Sequence, residues 1–238
     1  MTTIERPSPN HNARPEGQAA DILLLHYTGM ESAEAALARL CDPAAEVSAH
    51  YCIDEDGTLY VMVPEARRAW HAGRASWAGE NDINGRSIGI ELVNPGHEFG
   101  YRAFPESQMA RLIALAGEIL GRHPIPPERV LGHSDVAPLR KEDPGELFDW
   151  PRLAAAGIGL WPEDPPAPAE APPGGPSETE VRAALARFGY GYLDEDLPAV
   201  LRAFQRHFRP SAVTGEADAE TAARLFALAG RTDGVGSG

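Results

Sequence analysis

Ile22-Leu23-Leu24-Leu25 is a continuous apolar run that ends at His26-Tyr27-Thr28-Gly29. A short run of this kind predicts a strand covered on both faces. Helix formers follow over 31–40, with Ala33, Ala36, Leu37 and Leu40 at helical spacing. In VSAHYCIDEDGTLYVMVP two strand-like runs flank Asp56-Gly57, which predicts a hairpin. RRAWHAGRASWAGENDINGR has no period and reads as a long functional loop. SIGIELVN is a further strand, placing Ile88, Ile90 and Leu92 on one face and Ser87, Gly89, Glu91 and Val93 on the other. Over 106–122 the stripe Met109, Leu112, Ile113, Ala116, Ile119, Leu120 predicts an amphipathic helix, stopped by Pro124, Pro126 and Pro127. ERVLG then returns as a strand and delivers His133.

The pattern changes at PEDPPAPAEAPPGGP, where dense proline predicts an extended spacer. Beyond it Ser177-x-x-Glu180 is a capping box, followed by a second stripe (Leu197, Val200, Leu201, Phe204) and a third over Ala219–Leu228. The expected fold class is therefore α/β, with a mixed central sheet flanked by helices and a small all-α three-helix C-terminal domain. The expected organisation is an N-terminal arm (1–17), a catalytic domain (18–161), a Pro-rich linker (162–176), the three-helix domain (177–230) and a flexible tail (231–238).

Composition narrows the function more than the fold. Among 238 residues, 43% are hydrophobic and 24% charged, which is enough to build a core. A formal net charge of −14 leaves no basic stripe for phosphates, so nucleic acid is excluded as a partner. No apolar stretch approaches a membrane span and no secretory signal is readable in MTTIERPSPNHNARPEGQAAD, so the cytoplasm is the default compartment. Cys41 and Cys52 read as free thiols rather than a disulfide.

The candidate chemistry centres on LGHSDVAPLRKEDPGELFDW. His26 and His133 each follow a strand-like run, and two parallel neighbouring strands would bring both imidazoles to one sheet edge. Asp143, in a loop between Pro138 and Pro144, could supply a third ligand, and two His plus one carboxylate is a catalytic zinc arrangement. Two readings stand for each remaining group. Glu91 is a general base or a charge on a solvated strand face, and Gly89 beside it suggests an open pocket floor. Lys141 stabilises an oxyanion or is a solvated loop lysine. Tyr51, Trp70, His71, Trp77 and Asn84 line a sugar-binding groove or pack in the core. His50, His97 and His123 have no pattern that singles them out.

In order along the chain, LLLHYTG, SAHYCIDEDGTLYVMVPE, RAWHAG, NGRSIGIELVN and LGHSDVAPLRKEDPGELFDW resemble the blocks of the type 2 N-acetylmuramoyl-L-alanine amidases, over about Asp21 to Trp150. The likeness is closest to Gram-negative members that act on muropeptides and often carry a C-terminal wall-binding module. It implies zinc held by His26, His133 and Asp143, Glu91 as acid/base residue and Lys141 as the group stabilising the tetrahedral intermediate. EVRAALARFGYGY and LRAFQRHF resemble the three-helix peptidoglycan-binding domain, whose usual Gly- and Asp-bearing loop is replaced here by LDEDLPAV.

The resemblance implies hydrolysis of the bond between the lactyl group of N-acetylmuramic acid, or its 1,6-anhydro form, and L-alanine of the stem peptide. Peptidoglycan or a muropeptide is the expected partner, and a monomer the expected state. The rival readings are a muropeptide sensor without activity and a zinc peptidase cutting within the stem. The wall-binding-like module points to an exported protein, against the cytoplasmic default.

Overall fold

The structure is a computed structural model that describes residues 2–162 and 175–231. Residues 163–174 of the expected linker and 232–238 of the expected tail lie outside the described residues. Six strands form one mixed sheet: β1 (Thr3–Glu5), β3 (Ile22–Tyr27), β4 (Tyr51–Ile53), β5 (Leu59–Val61), β7 (Ser87–Leu92) and β8 (Val130–Gly132), in the order β1-β5-β4-β7-β3-β8. From β4 through β7 and β3 to β8 the strands are parallel. The β4–β5 pair is the antiparallel hairpin expected at Asp56-Gly57, where Gly57 takes φ +85°.

The arm is less detached than its polarity suggests. Its β1 adds a parallel edge strand to β5, and β2 (His11–Ala13) pairs antiparallel with β6 (Arg67–Ala69), inside the segment read as loop. Both arm strands are held by backbone bonds with little apolar burial, so no side-chain period announces them.

Between and after the strands come α1 (Ala33–Cys41), α2 (Ile83–Arg86), α3 (Gly96–Phe99) and α6 (Trp150–Ala155), and each face of the sheet has its own cover. Leu23, Leu25, Ile88, Ile90 and Leu92 pack under α4 (Glu106–Arg122), against Met109, Leu112, Ala116 and Ile119. Buried Gln108 of α4 donates its amide to the carbonyls of Ile53 and Val93, which fixes the helix along the sheet. The opposite face begins with Ile22, Leu24 and Leu131, which join one apolar cluster with Val181, Leu185, Val200, Phe204 and Leu225. Those last five lie on α7 (Glu178–Phe188), α8 (Leu197–Phe208) and α9 (Ala219–Arg231). The C-terminal helices therefore complete the core of the sheet domain rather than standing apart from it. Ser177 and Glu180 cap α7 reciprocally, as their spacing predicts. Within LDEDLPAV, residues 193–195 form a turn, Asp196 caps α8 by accepting from the Ala199 amide, and 197–200 are already the first turn of that helix.

Along β3 the alternation that points Ile22 and Leu24 at the C-terminal helices carries His26 to the same face, at the strand's C-terminal end.

Candidate metal centre and substrate groove

Parallel pairing sets the first contact. Leu25 of β3 stands opposite Gly132 of β8, so His133, the next residue, emerges beside His26. It opens a single helical turn, α5 (His133–Val136), where a loop was expected. His26 Nδ1 lies 2.9 Å from His133 Nδ1 and 3.1 Å from Asp143 Oδ2, and His133 Nδ1 lies 3.0 Å from the same oxygen. All three side chains are buried. Two donors on a tetrahedral zinc stand roughly 3.3–3.5 Å apart for bonds of about 2.0–2.2 Å, within a few tenths of an ångström of this triangle.

The protonation pattern fits a cation at its centre. His133 Nε2 lies 3.0 Å from the Ala72 carbonyl, which can only accept, so the proton sits on Nε2 and the Nδ1 lone pair faces inward. His26 Nε2 is taken up by His71 Nδ1 at 3.0 Å, leaving His26 Nδ1 for the triangle. Burial and the nearby His133 lower the His26 pKa to about 4. Burial alone would raise the Asp143 carboxyl, but His133 and His26 hold it well below the usual carboxylate range. Two nitrogen lone pairs and a carboxylate converging in a buried space repel one another unless a cation lies between them.

The Asp143 loop is held from several sides. The Ser134 amide donates to the Asp143 carbonyl at 2.9 Å, and Tyr101 donates its hydroxyl to the Pro144 carbonyl at 2.7 Å while accepting from the Leu147 amide. Arg206 of α8 reaches across to Glu142 at 2.5 Å.

Glu91 is the register partner of His26 across the β3–β7 pair, so its carboxyl shares the triangle's face of the sheet. It is buried, and Oε2 has no hydrogen-bond partner among the described residues. Burial first, and Asp143 second, push its pKa well above the ordinary value, with Lys141 opposing. A carboxyl tuned upward beside a metal-ligand set is suited to taking and returning a proton near neutral pH. Glu91, Lys141, His71, His133 and Asp143 line a cavity of about 170 Å³ with Tyr27, Thr28 and Arg39. His71, His133 and Lys141 also border a groove of about 480 Å³, with Arg68, Trp70, Asn84 and Arg140 along it. Lys141 thus stands where the two spaces meet.

Trp70, His71 and Asn84 do border the groove, but two of them also have internal tasks. Asn84 Oδ1 accepts from the amides of His71 and Ala72, bracing the turn that presents Ala72 to His133. His71 is buried, and its imidazole fills the space above Gly89; a Cβ on that residue would come within 2.6 Å of the ring. Gly89 is thus a seat for His71, not the open pocket floor its missing side chain suggested.

Of the residues left between groove and core, Tyr51 and Trp77 lie away from the groove. Tyr51 lies on the α4 side of the sheet and donates its hydroxyl to Glu65 at 2.7 Å, because its place on β4 gives it the parity of Ile90, its register partner. Trp77 is buried against Phe188 of α7 and Tyr190 just beyond it. Of the unassigned histidines, His50 accepts from the Gly89 amide at 2.9 Å, while His97 and His123 meet Glu146 and Glu65.

Arg140 and Asp135 lie in the segment that carries the candidate chemistry, but sequence reasoning gave neither a role. Arg140 donates to the carbonyls of Ala72 and Arg74, fixing the strap behind His133. Asp135 Oδ2 accepts from the Gly132 amide at 2.7 Å and from His207 Nδ1 at 2.7 Å, and Oδ1 accepts from Tyr190 at 2.6 Å. A charged residue two positions after a ligand histidine was the available signal.

Residues 16–146 match the family model described as N-acetylmuramoyl-L-alanine amidase, and residues 175–225 match a peptidoglycan binding domain. The N-acetylmuramoyl-L-alanine amidase AmiD of Escherichia coli is 38% identical over 94% of this chain and 89% of its own length. The 1,6-anhydro-N-acetylmuramyl-L-alanine amidase AmpD of Enterobacter cloacae is 34% identical over 63% of this chain and 87% of its own. Among solved structures, that of E. coli AmiD with anhydro-N-acetylmuramic acid-L-Ala-D-gamma-Glu-L-Lys superposes with a TM-score of 0.79 at 38% identity, covering 91% of this chain and 92% of that one. AmpDh3 of Pseudomonas aeruginosa with an anhydromuramic pentapeptide superposes at 0.82 and 35% identity, covering 92% and 95%. The chain belongs to the N-acetylmuramoyl-L-alanine amidase family.

Proposed function

We propose that this protein is a zinc-dependent amidase that cleaves the bond between the lactyl carbonyl of N-acetylmuramic acid, in its 1,6-anhydro form, and the L-alanine of a stem peptide. The observation that carries the reading is the triangle of His26 Nδ1, His133 Nδ1 and Asp143 Oδ2, each pair within 3.1 Å, beside the unpartnered carboxyl oxygen of Glu91. His26, His133 and Asp143 would hold the ion. When bound, zinc supplies Lewis acidity toward the scissile carbonyl and makes a water acidic enough to attack near neutral pH.

The chain's own residues do the rest. Glu91, whose burial raises its proton affinity, takes the proton of the attacking water and returns it to the leaving alanine nitrogen. Lys141, at the junction of groove and cavity, places its ammonium toward the carbonyl oxygen as that oxygen gains charge. The groove's indole at Trp70 offers a face for a sugar ring, and Arg68 a cation for a substrate carboxylate. A soluble anhydro-muropeptide is the proposed substrate because the AmiD and AmpDh3 complexes carry ligands of that kind.

The test is mass analysis of products after zinc-loaded full-length protein meets a 1,6-anhydro-N-acetylmuramyl tripeptide. Intact anhydromuramic acid and a free L-Ala-peptide are expected. Cleavage inside the stem, or no cleavage at all, overturns the reading. A parallel arm with intact sacculi reports whether the C-terminal domain, matched to the peptidoglycan binding family, extends activity to polymer.

A further inference from the structure

The geometry points to His71 as a positioning residue that sets the metal-facing tautomer of His26 through a directed chain of hydrogen bonds. The chain starts at a backbone carbonyl. Ser87 Oγ lies 2.6 Å from the Ile83 carbonyl, which cannot donate, so the hydroxyl proton is committed there. Ser87 Oγ, 3.4 Å from His71 Nε2, can then only accept, which puts the His71 proton on Nε2. His71 Nδ1 is left as a lone pair and accepts from His26 Nε2–H at 3.0 Å. His26 Nδ1 is thereby bare, and it is the atom that meets His133 Nδ1 and Asp143 Oδ2.

Every link before His26 has its direction fixed by the one behind it. The usual partner of a ligand histidine is a carboxylate or a carbonyl, which accepts in any state. An imidazole accepts on one nitrogen only, so here the orientation depends on Ser87 and Ile83, neither of which is in the metal triangle. Gly89 completes the device. With no Cβ it lets the His71 ring lie against β7, where a methyl group would stand 2.6 Å from three ring atoms. The His26 and His71 rings meet edge to face, 5.0 Å between centroids, as the Nε2-to-Nδ1 bond requires.

This role rests on the zinc reading above, and the experiment separates the two. Zinc affinity is measured on the metal-free full-length protein by competition with a chromophoric chelator, for the native chain, His71→Leu and His71→Asn. Asparagine can bring Oδ1 to the place of the lost Nδ1; leucine fills the space without an acceptor. His71→Leu is expected to weaken zinc binding by about 10- to 100-fold, and His71→Asn to restore most of it. Native-like affinity in His71→Leu, or equal losses in both variants, overturns the role while leaving the zinc site intact. A native chain that takes up no zinc overturns both readings. Should the leucine variant not fold, long-range proton–nitrogen NMR of the native zinc-loaded protein decides. A His71 protonated on Nε2 and a His26 protonated on Nε2 are expected; a proton on His71 Nδ1 overturns the assignment.

Discussion

Tyr190, two residues beyond the end of α7, donates its hydroxyl to Asp135 at 2.6 Å, and Asp135 stands two residues beyond His133 of the metal triangle. His207 of α8 donates to the same carboxylate and is stacked 3.6 Å from the Trp150 ring. The C-terminal domain therefore holds the turn that presents His133. Tyr190→Phe leaves a buried carboxylate oxygen without its donor and is expected to lower stability by about 1–3 kcal/mol, measured by urea unfolding. Truncation after residue 162 is expected to yield an insoluble or zinc-poor chain, because it bares Ile22, Leu24, Leu131 and Val136. A soluble truncated protein with native zinc affinity would count against this coupling.

Glu91→Gln keeps the size of the side chain and removes its ability to take a proton. Turnover is expected to fall by about 100- to 10,000-fold, with one zinc per chain retained by elemental analysis. Since burial raises this carboxyl, the rate in the native protein should rise with pH through a value above the ordinary carboxylate range and be lost below it. An acid limb near an ordinary Glu pKa would disprove the buried-base role.

Lys141→Ala is expected to reduce turnover by about 100- to 1000-fold with little change in zinc content or melting temperature. The side chain is partly exposed and forms no ion pair among the described residues, so its loss leaves nothing unpaired in the core. A large drop in stability with modest kinetic loss would make it structural.

Chelation should abolish activity and also lower the unfolding midpoint, since a ligand that binds only the folded chain at 100 times its Kd adds about 2.7 kcal/mol. Zinc restored to one equivalent should recover both readouts together.

The metal-free protein should weaken in mild acid. Burial lowers His50 to about 3 and His26 to about 4, whereas both titrate near 6.5 when unfolded. At these two groups the unfolded chain binds more protons between those limits, so their contribution to stability is full above about pH 6.5 and falls as pH drops toward 4 and 3. Chemical denaturation across pH 7 to 4 checks the sign; a flat profile refutes it.

Elements with a side-chain period were legible before the fold was known. The α4 stripe was readable because a helix repeats its buried face every three or four residues, and the Asp56-Gly57 hairpin because few dipeptides accept that turn. The arm strands were not readable, for they are held by backbone pairing and a few polar side-chain bonds, with no buried apolar face to set a period. Tyr51 was misplaced for a related reason: its type suits a groove or a core equally, and only the register with Ile90 gives its face.

By itself the sequence determined which residue types sit at which strand ends: His26 at the end of the β3 run, His133 after β8, Glu91 within β7. Covalent order and alternation are local properties, so they survive without the fold. Tertiary structure alone decided that β3 lies between β7 and β8, so that atoms of two imidazoles and a carboxylate from separate segments come within 3.1 Å of one another. It also decided that the C-terminal helices close the other side of the same core, and that His71 looks inward to His26. Those outcomes depend on strand order and on which lone pair faces which proton, and both are set by contacts between segments that are remote along the chain.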